Sequence, residues 1–230
     1  MQPFQIATQQ TTGDFAVRQN RVLRNTYALL ALSMVPTVLG ALLGIQMNFN
    51  FFAGSPLIAF LVFMGGAFAF MYGIEKTKNS GMGVVLLLAF TFFMGLMLSR
   101  ILQVALGFSN GGQLIAMAFG GTGAIFFALA GVAATSKRDF SNLGKFLFAG
   151  VILILIAALA NTFFQIPAVS LAISALAVAI FSAYILFDIN RIVQGGEDNY
   201  VTATLSVYLS IYNIFVSLVH LLLVFTGQRD

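Results

Sequence analysis

The chain has 230 residues, 60% hydrophobic and 8% charged, with a formal net charge of +4. A soluble domain carries about 25% charged residues; eleven basic and seven acidic side chains among twenty-five phenylalanines cannot coat a water-facing surface, so the surrounding medium is lipid. With no cysteine and one histidine, the composition excludes a disulfide framework, a thiolate nucleophile, Cys-ligated zinc and multi-His metal sites, and the sparse cations form no nucleic-acid footprint.

Residues 1–25 are polar, carry Asp14, Arg18, Arg21 and Arg24, and lack the apolar core and small-residue cleavage site of a secretory signal. They read as a retained, flexible cytoplasmic tail that could extend about 80–90 Å at ~3.3–3.6 Å per residue. Residues 26–230 read as one all-α domain, a bundle of seven transmembrane helices. Its apolar stretches lie at 26–48, 56–74, 81–99, 113–134, 146–164, 168–187 and 203–225. Each approaches the ~20 residues that a helix rising 1.5 Å per residue needs to cross ~30 Å of hydrocarbon. A β-barrel would alternate apolar and polar residues, whereas VILILIAALA at 151–160 is apolar on every side. Asn79-Ser80-Gly81, Ser109 to Gly112, Gln165-Ile166-Pro167 and Gly195-Gly196 punctuate the breaks, and Pro36 predicts a kink inside the first span.

Cation placement orients the bundle. With the N-terminus in the cytoplasm, Arg18, Arg21, Arg24, Lys76, Lys78, Lys137, Arg138, Lys145 and Arg191 fall on the inner side, leaving Arg100 and Arg229 outside. An odd number of crossings then puts the C-terminus in the periplasm.

The fourth stretch places Ala116, Gly120, Ala124 and Ala128 four apart, and the sixth carries Ala168, Ala172, Ala175, Ala179 and Ala183. Such ridges let helices approach closely and are expected to serve packing. In the seventh stretch Ser206, Ser210, Asn213, Ser217 and His220 form one polar seam. A lipid-facing helix would not carry it, so this helix is expected at the bundle centre. The seam serves either as interhelical hydrogen-bond glue or as a hydrated path for an ion or proton.

Asp188 closes the sixth stretch, where a carboxylate is costly unless paired or hydrated. It reads either as an interfacial acid, paired with Arg191 or capping the loop, or as part of that path. Glu197 and Asp198 in the next loop form a solvated acidic turn or add hard oxygen ligands for calcium. No metal site or bound cofactor is expected. Hydrolase readings fail: Asp198 lacks the Gly-x-Gly-Asp setting of intramembrane aspartyl proteases, and no Gly-x-Ser-x-Gly elbow supports a Ser-His pair.

ILFDINRIVQGGEDNY at 185–200 followed by SVYLSIYNIFVSLVHLL at 206–222 resembles the signature of the Bax inhibitor 1 family of seven-span membrane proteins. NRVLRNTY at 20–27, AFGGTGAIFF at 118–127, TSKRDFSNLG at 135–144 and QIPAVSLAISA at 165–175 are similar to its bacterial inner-membrane branch that modulates the ATP-dependent protease FtsH. The resemblance implies a central seventh helix, no enzymatic activity, and FtsH with its associated membrane regulators as partners. It implies a slowly degraded competing substrate, gripped by the tail bearing Arg18, Arg21 and Arg24. The family's calcium-leak branch implies instead a pH-sensitive pair of aspartates and calcium as a transported ion. Asp188 matches the first aspartate, but Ser210 stands where the second belongs, so a two-carboxylate latch that shares a proton cannot form.

Overall fold

The computed structural model describes residues 3–49, 56–136, 138–140 and 142–227, with the side chains of residues 3–16, 56, 59 and 227 outside the description. Lys137 and Arg229 of the cation tally, and the side chain of Asp14, lie outside the described residues. Seven helices follow one another: α1 Pro3–Gln46, α2 Pro56–Thr77, α3 Gly81–Leu106, α4 Gly111–Thr135, α5 Leu143–Phe164, α6 Pro167–Val193 and α7 Tyr200–Gly227. No strand occurs among the described residues. Among those residues six helices are long and apolar enough to cross a membrane, the first of them as Val17–Gln46. α2, which ends on Glu75, Lys76 and Thr77, is not one of the six.

The leader departs from the expected flexible tail, because α1 starts at Pro3 and continues without a break into the membrane. Two physical reasons suffice. Nucleation, the costly step of helix formation, is already met by the long apolar segment, so each added residue needs only propagation. Pro3 occupies the first helical position, where its missing N–H is harmless. A helix also shortens the reach of residues 3–25 to about 35 Å, at 1.5 Å per residue. α1 runs on through Pro36, with Ser33 and Thr37 returning their hydroxyls to the carbonyls of Leu30 and Ser33.

Packing centres on α7, which touches α1, α2, α3, α4 and α6. α5 lies at the periphery against α6, with Leu147 its one buried residue. The principal core is built from Ile74, Leu87, Phe90, Ile185, Ile189, Val201 and Tyr208, all essentially inaccessible.

The close helix approach is not where the small-residue ridges predict it. Ala116, Gly120, Ala124 and Ala128 of α4 are exposed, as are Ala168, Ala172, Ala175 and Ala179 of α6. The tight seam joins α1 and α3 instead. A Cβ on Gly95 would collide with the Thr37 carbonyl oxygen, and one on Gly40 with that of Phe92. The two backbones meet there because neither has a side chain to hold them apart.

Hydrogen bonds between loops gather four chain segments at one end of the bundle. Asn199 Nδ2 donates to the Lys78 carbonyl and to Asn79 Oδ1. Asn190 Nδ2 donates to the Arg138 carbonyl and its Oδ1 accepts from Phe140 N–H. Thr204 Oγ1 donates to the carbonyls of Tyr200 and, across helices, Thr26. The α2–α3, α4–α5 and α6–α7 connections therefore share an end with the N-terminal half of α1, as alternating up-and-down helices require.

Candidate functional site

α7 presents polar groups on two sides. At ~100° per residue, Tyr208 lies opposite Ser210 and Ser217. On the tyrosine side, the Tyr208 hydroxyl lies 2.9 Å from Thr37 Oγ1 and donates at 3.4 Å to the Thr91 carbonyl. Tyr212 donates its hydroxyl to the Met94 carbonyl at 3.2 Å. These bonds tie α7 to α1 and α3, and in hydrocarbon the two tyrosine hydroxyls would otherwise go unsatisfied.

The predicted seam occupies the other side, but it is not one continuous lining. Ser206 is exposed. Ser210 is buried and donates within its own helix to the Ser206 carbonyl at 3.2 Å. Asn213 Nδ2 likewise donates to the Leu209 carbonyl at 2.8 Å. Ser217 is buried. Only His220 links helices: its Nδ1 lies 2.9 Å from Ser174 Oγ and its Nε2 3.4 Å from Ser170 Oγ, both on α6. Asp188 does not orient this Ser-His contact as the acid of a catalytic triad would, since it stands fourteen residues from Ser174, about 21 Å along α6 at 1.5 Å per residue.

Asp188 is buried near the C-terminal end of α6, and its Oδ2 has no hydrogen-bond partner. The expected pairing with Arg191 is not formed. Arg191 turns to the following loop, where Nε donates to the Gly196 carbonyl at 3.0 Å and the guanidinium lies 3.5 Å from Glu197 Oε2. A positive φ of 78° at Gly195 makes this tight return possible. Glu197 is not a spare ligand either: its Oε1 accepts from Asn199 N–H and the Thr202 hydroxyl, capping the start of α7. Asp198 is exposed in the same loop. Among the described residues no three of His, Cys, Asp and Glu gather around one point. In the facing α2–α3 loop, Lys78 donates to Glu75, and that bond raises the ammonium pKa above its ordinary value.

Arg18, Arg21 and Arg24 are exposed on α1, three residues apart on neighbouring flanks of the helix. Several contributors have no distinctive sequence signal. Tyr208, Tyr212, Thr37 and Thr91 lie within apolar runs, and Ser170 and Ser174 form an i, i+4 pair on a helix noted for its alanines. Asn190, two residues after Asp188, sits in a quoted motif without marking its role as a clasp on the α4–α5 loop.

The sequence profile of the family described as inhibitor of apoptosis-promoting Bax1 matches residues 19–227, nearly the whole chain. The chain belongs to the Bax inhibitor 1 family. Three bacterial proteins are similar to it over most of its length. One from Escherichia coli K12, named modulator of FtsH protease YccA, is 40% identical over 203 residues, which cover 88% of this chain and 90% of that one. A second E. coli relative with the same identity and coverage is named inner membrane protein YccA. An uncharacterised protein of Pseudomonas aeruginosa is 42% identical over 200 residues, 87% of each chain. This Bax inhibitor 1 family member is thus a membrane protein, similar over almost its full length to a regulator of proteolysis.

Proposed function

We propose that this chain restrains the membrane protease FtsH in the bacterial inner membrane, as a slowly degraded competing substrate and without catalysis of its own. The observation that carries this reading is the 40% identity, over nearly the full length of both chains, to the E. coli modulator of FtsH protease. The leader from Met1 to Asn25 is the element the protease engages, with Arg18, Arg21 and Arg24 exposed at the point where α1 meets the membrane. From Pro3 onward it is part of α1, so a pull passes directly to the segment locked against α3 at Gly95 and Gly40. That lock gives a physical reason for slow extraction.

The proposal includes seven crossings, with the N-terminus in the cytoplasm and the C-terminus in the periplasm. α2 supplies the seventh: its 22 residues span about 33 Å at 1.5 Å per residue. Leu61, Val62 and Phe68 are more than half exposed on it, as lipid-facing residues would be. Arg138, Lys78 and Arg191 belong to the connections that cluster with the N-terminal half of α1, and the basic end faces the cytoplasm. The test is turnover of the full chain by FtsH in reconstituted membranes. Deleting residues 1–15 is expected to abolish degradation and relieve the restraint on a second membrane substrate; unchanged turnover would refute engagement through the leader.

A second reading, a calcium or proton leak, is favoured by the buried and unpartnered Oδ2 of Asp188. Its route would follow Ser210, Asn213, Ser217 and His220 along α7. Liposome flux separates the two: conduction abolished by Asp188→Asn supports the leak, and a silent liposome removes it.

A further inference from the structure

α1 turns two unlike faces to its surroundings. Thr26, Leu29, Leu30, Ser33 and Thr37 are buried against the bundle. On the opposite side Ala28, Leu32, Val35, Leu39 and Leu42 are exposed, and this apolar stripe faces lipid. At ~100° per residue, Arg21 and Arg24 lie within about 40° of the midline of the exposed stripe, and Arg18 lies about 80° from it, at the edge. All three arginines are exposed. They continue the lipid-facing side of the helix and not its packed side.

The packing sets their depth. The Thr26 carbonyl accepts from Thr204, one turn into α7. Gly40 lies against Phe92 and Gly95 against Thr37, which brings the start of α3 at Gly81 level with about Thr26. From Thr26 to its end at Gln46, α1 rises about 30 Å, the thickness of the hydrocarbon core. Arg24, Arg21 and Arg18 stand about 3, 8 and 12 Å beyond that limit, where the headgroup layer is about 5–8 Å deep. Arg24 and Arg21 therefore fall within the layer, and the long side chain of Arg18 reaches back to it. No acid offsets this charge: the sequence has none between Asp14 and Glu75, and among the described residues none of the three arginines forms an ion pair.

We propose that Arg21 and Arg24, flanked by Arg18, bind the phosphate groups of anionic phospholipids in the leaflet at the loop-clustered end of the bundle, with acyl chains lying along Ala28, Leu32 and Val35. A guanidinium meets a phosphate with two parallel N–H donors, and basic side chains at a bilayer surface draw in its anionic lipids. Phosphatidylcholine offers the same phosphate but adds an ammonium to a region that already carries three cations, so the anionic lipid is preferred. The contact fixes the depth of α1 and leaves the part before Val17 projecting from the membrane surface. It does not rest on engagement by FtsH, whose test removes residues 1–15 and leaves the three arginines in place.

The chain has no tryptophan, so Leu32→Trp places a single one on the stripe, about 12 Å along the helix from Arg24. In bilayers containing the full chain, quenching of its fluorescence by phosphatidylglycerol or phosphatidylcholine with brominated acyl chains reads which lipid occupies that position. Phosphatidylglycerol is expected to be favoured about fivefold, equivalent to ~1 kcal/mol. Arg21→Gln combined with Arg24→Gln should bring the two lipids to parity. Ile156→Trp, on the exposed face of α5, should show parity with the arginines intact. Parity at Leu32→Trp, an undiminished preference in the double variant, or the same preference at Ile156→Trp overturns the proposal. Should the double variant fail to fold, ionic strength decides. At about 1 M salt, where charges are screened within ~3 Å, the preference should fall toward parity, and a preference unchanged by salt overturns the proposal. Inorganic phosphate that abolishes the preference at matched ionic strength would assign the arginines to a free anion. Parity at Leu32→Trp together with capture of FtsH that is lost in the double variant would give them to the protease; either result overturns the lipid.

Discussion

The two sides of the bundle are built by different means from nearly the same alphabet. The most apolar windows of α1, α3 and α7 are each 39% buried, against 6% for α5. On the first side, glycines bring α1 and α3 into backbone contact and tyrosine hydroxyls fasten α7 to both. On the other, α4 and α6 turn their small-residue ridges outward and α5 leans on α6 alone. In water the greasier side of a helix would point inward, but lipid tails are as apolar as leucine. What separates inside from outside here is close approach and shared hydrogen bonds.

This contrast can be broken most strongly at the α1–α3 seam. Gly95→Leu should destabilise the folded chain by about 3 kcal/mol, at the upper end of overpacking penalties, because the obstacle is backbone. Gly120→Leu on α4, which has open space around it, should change stability by less than about 0.5 kcal/mol. Unfolding in mixed micelles, followed by circular dichroism, would compare them; equal losses would erase the distinction. Smaller effects come from the fasteners. Tyr208→Phe should cost about 0.6–1.7 kcal/mol by removing the bond shared with Thr37 and Thr91. Ser174→Ala, which leaves His220 only its longer contact with Ser170, should cost about 0.6 kcal/mol. The ranking is checked in the same unfolding assay.

Still smaller is Leu153→Ala on α5, where the side chain is 64% exposed; a shift within about 0.5 kcal/mol is expected. The least effect is electrostatic. The Glu75 bond raises the folded pKa of Lys78, so its contribution is complete below the ordinary lysine value of 10.5 and disappears as pH rises through the raised value. NMR titration of the Lys78 ammonium should show that pKa falling in Glu75→Gln.

The positions of the helices were readable because hydrocarbon thickness fixes their length: each predicted stretch from the second to the seventh falls inside its helix. The helices exceed those stretches where polar ends such as Asn190-Arg191 extend the coil toward water. The seam on α7 correctly implied its central place, since five helices surround it. Which side each ridge faces was not readable. Ala116 to Ala128 has the same spacing whether it meets a helix or lipid, and Gly95 stands alone in a run of large apolar residues. Within the candidate site, Asp188 stood out as an acid against an apolar span, whereas Arg191 had two acids within reach and the loop turned it to Glu197.

The central place of α7 also bears on biogenesis. The middle of the bundle is filled by a segment that follows the other six in chain order, so the ribosome delivers the keystone after the arch. Until it inserts, no tyrosine joins α1 to α3 at Thr37 and Thr91, and an unfinished chain leaves the centre of its bundle open to the quality-control machinery of its membrane.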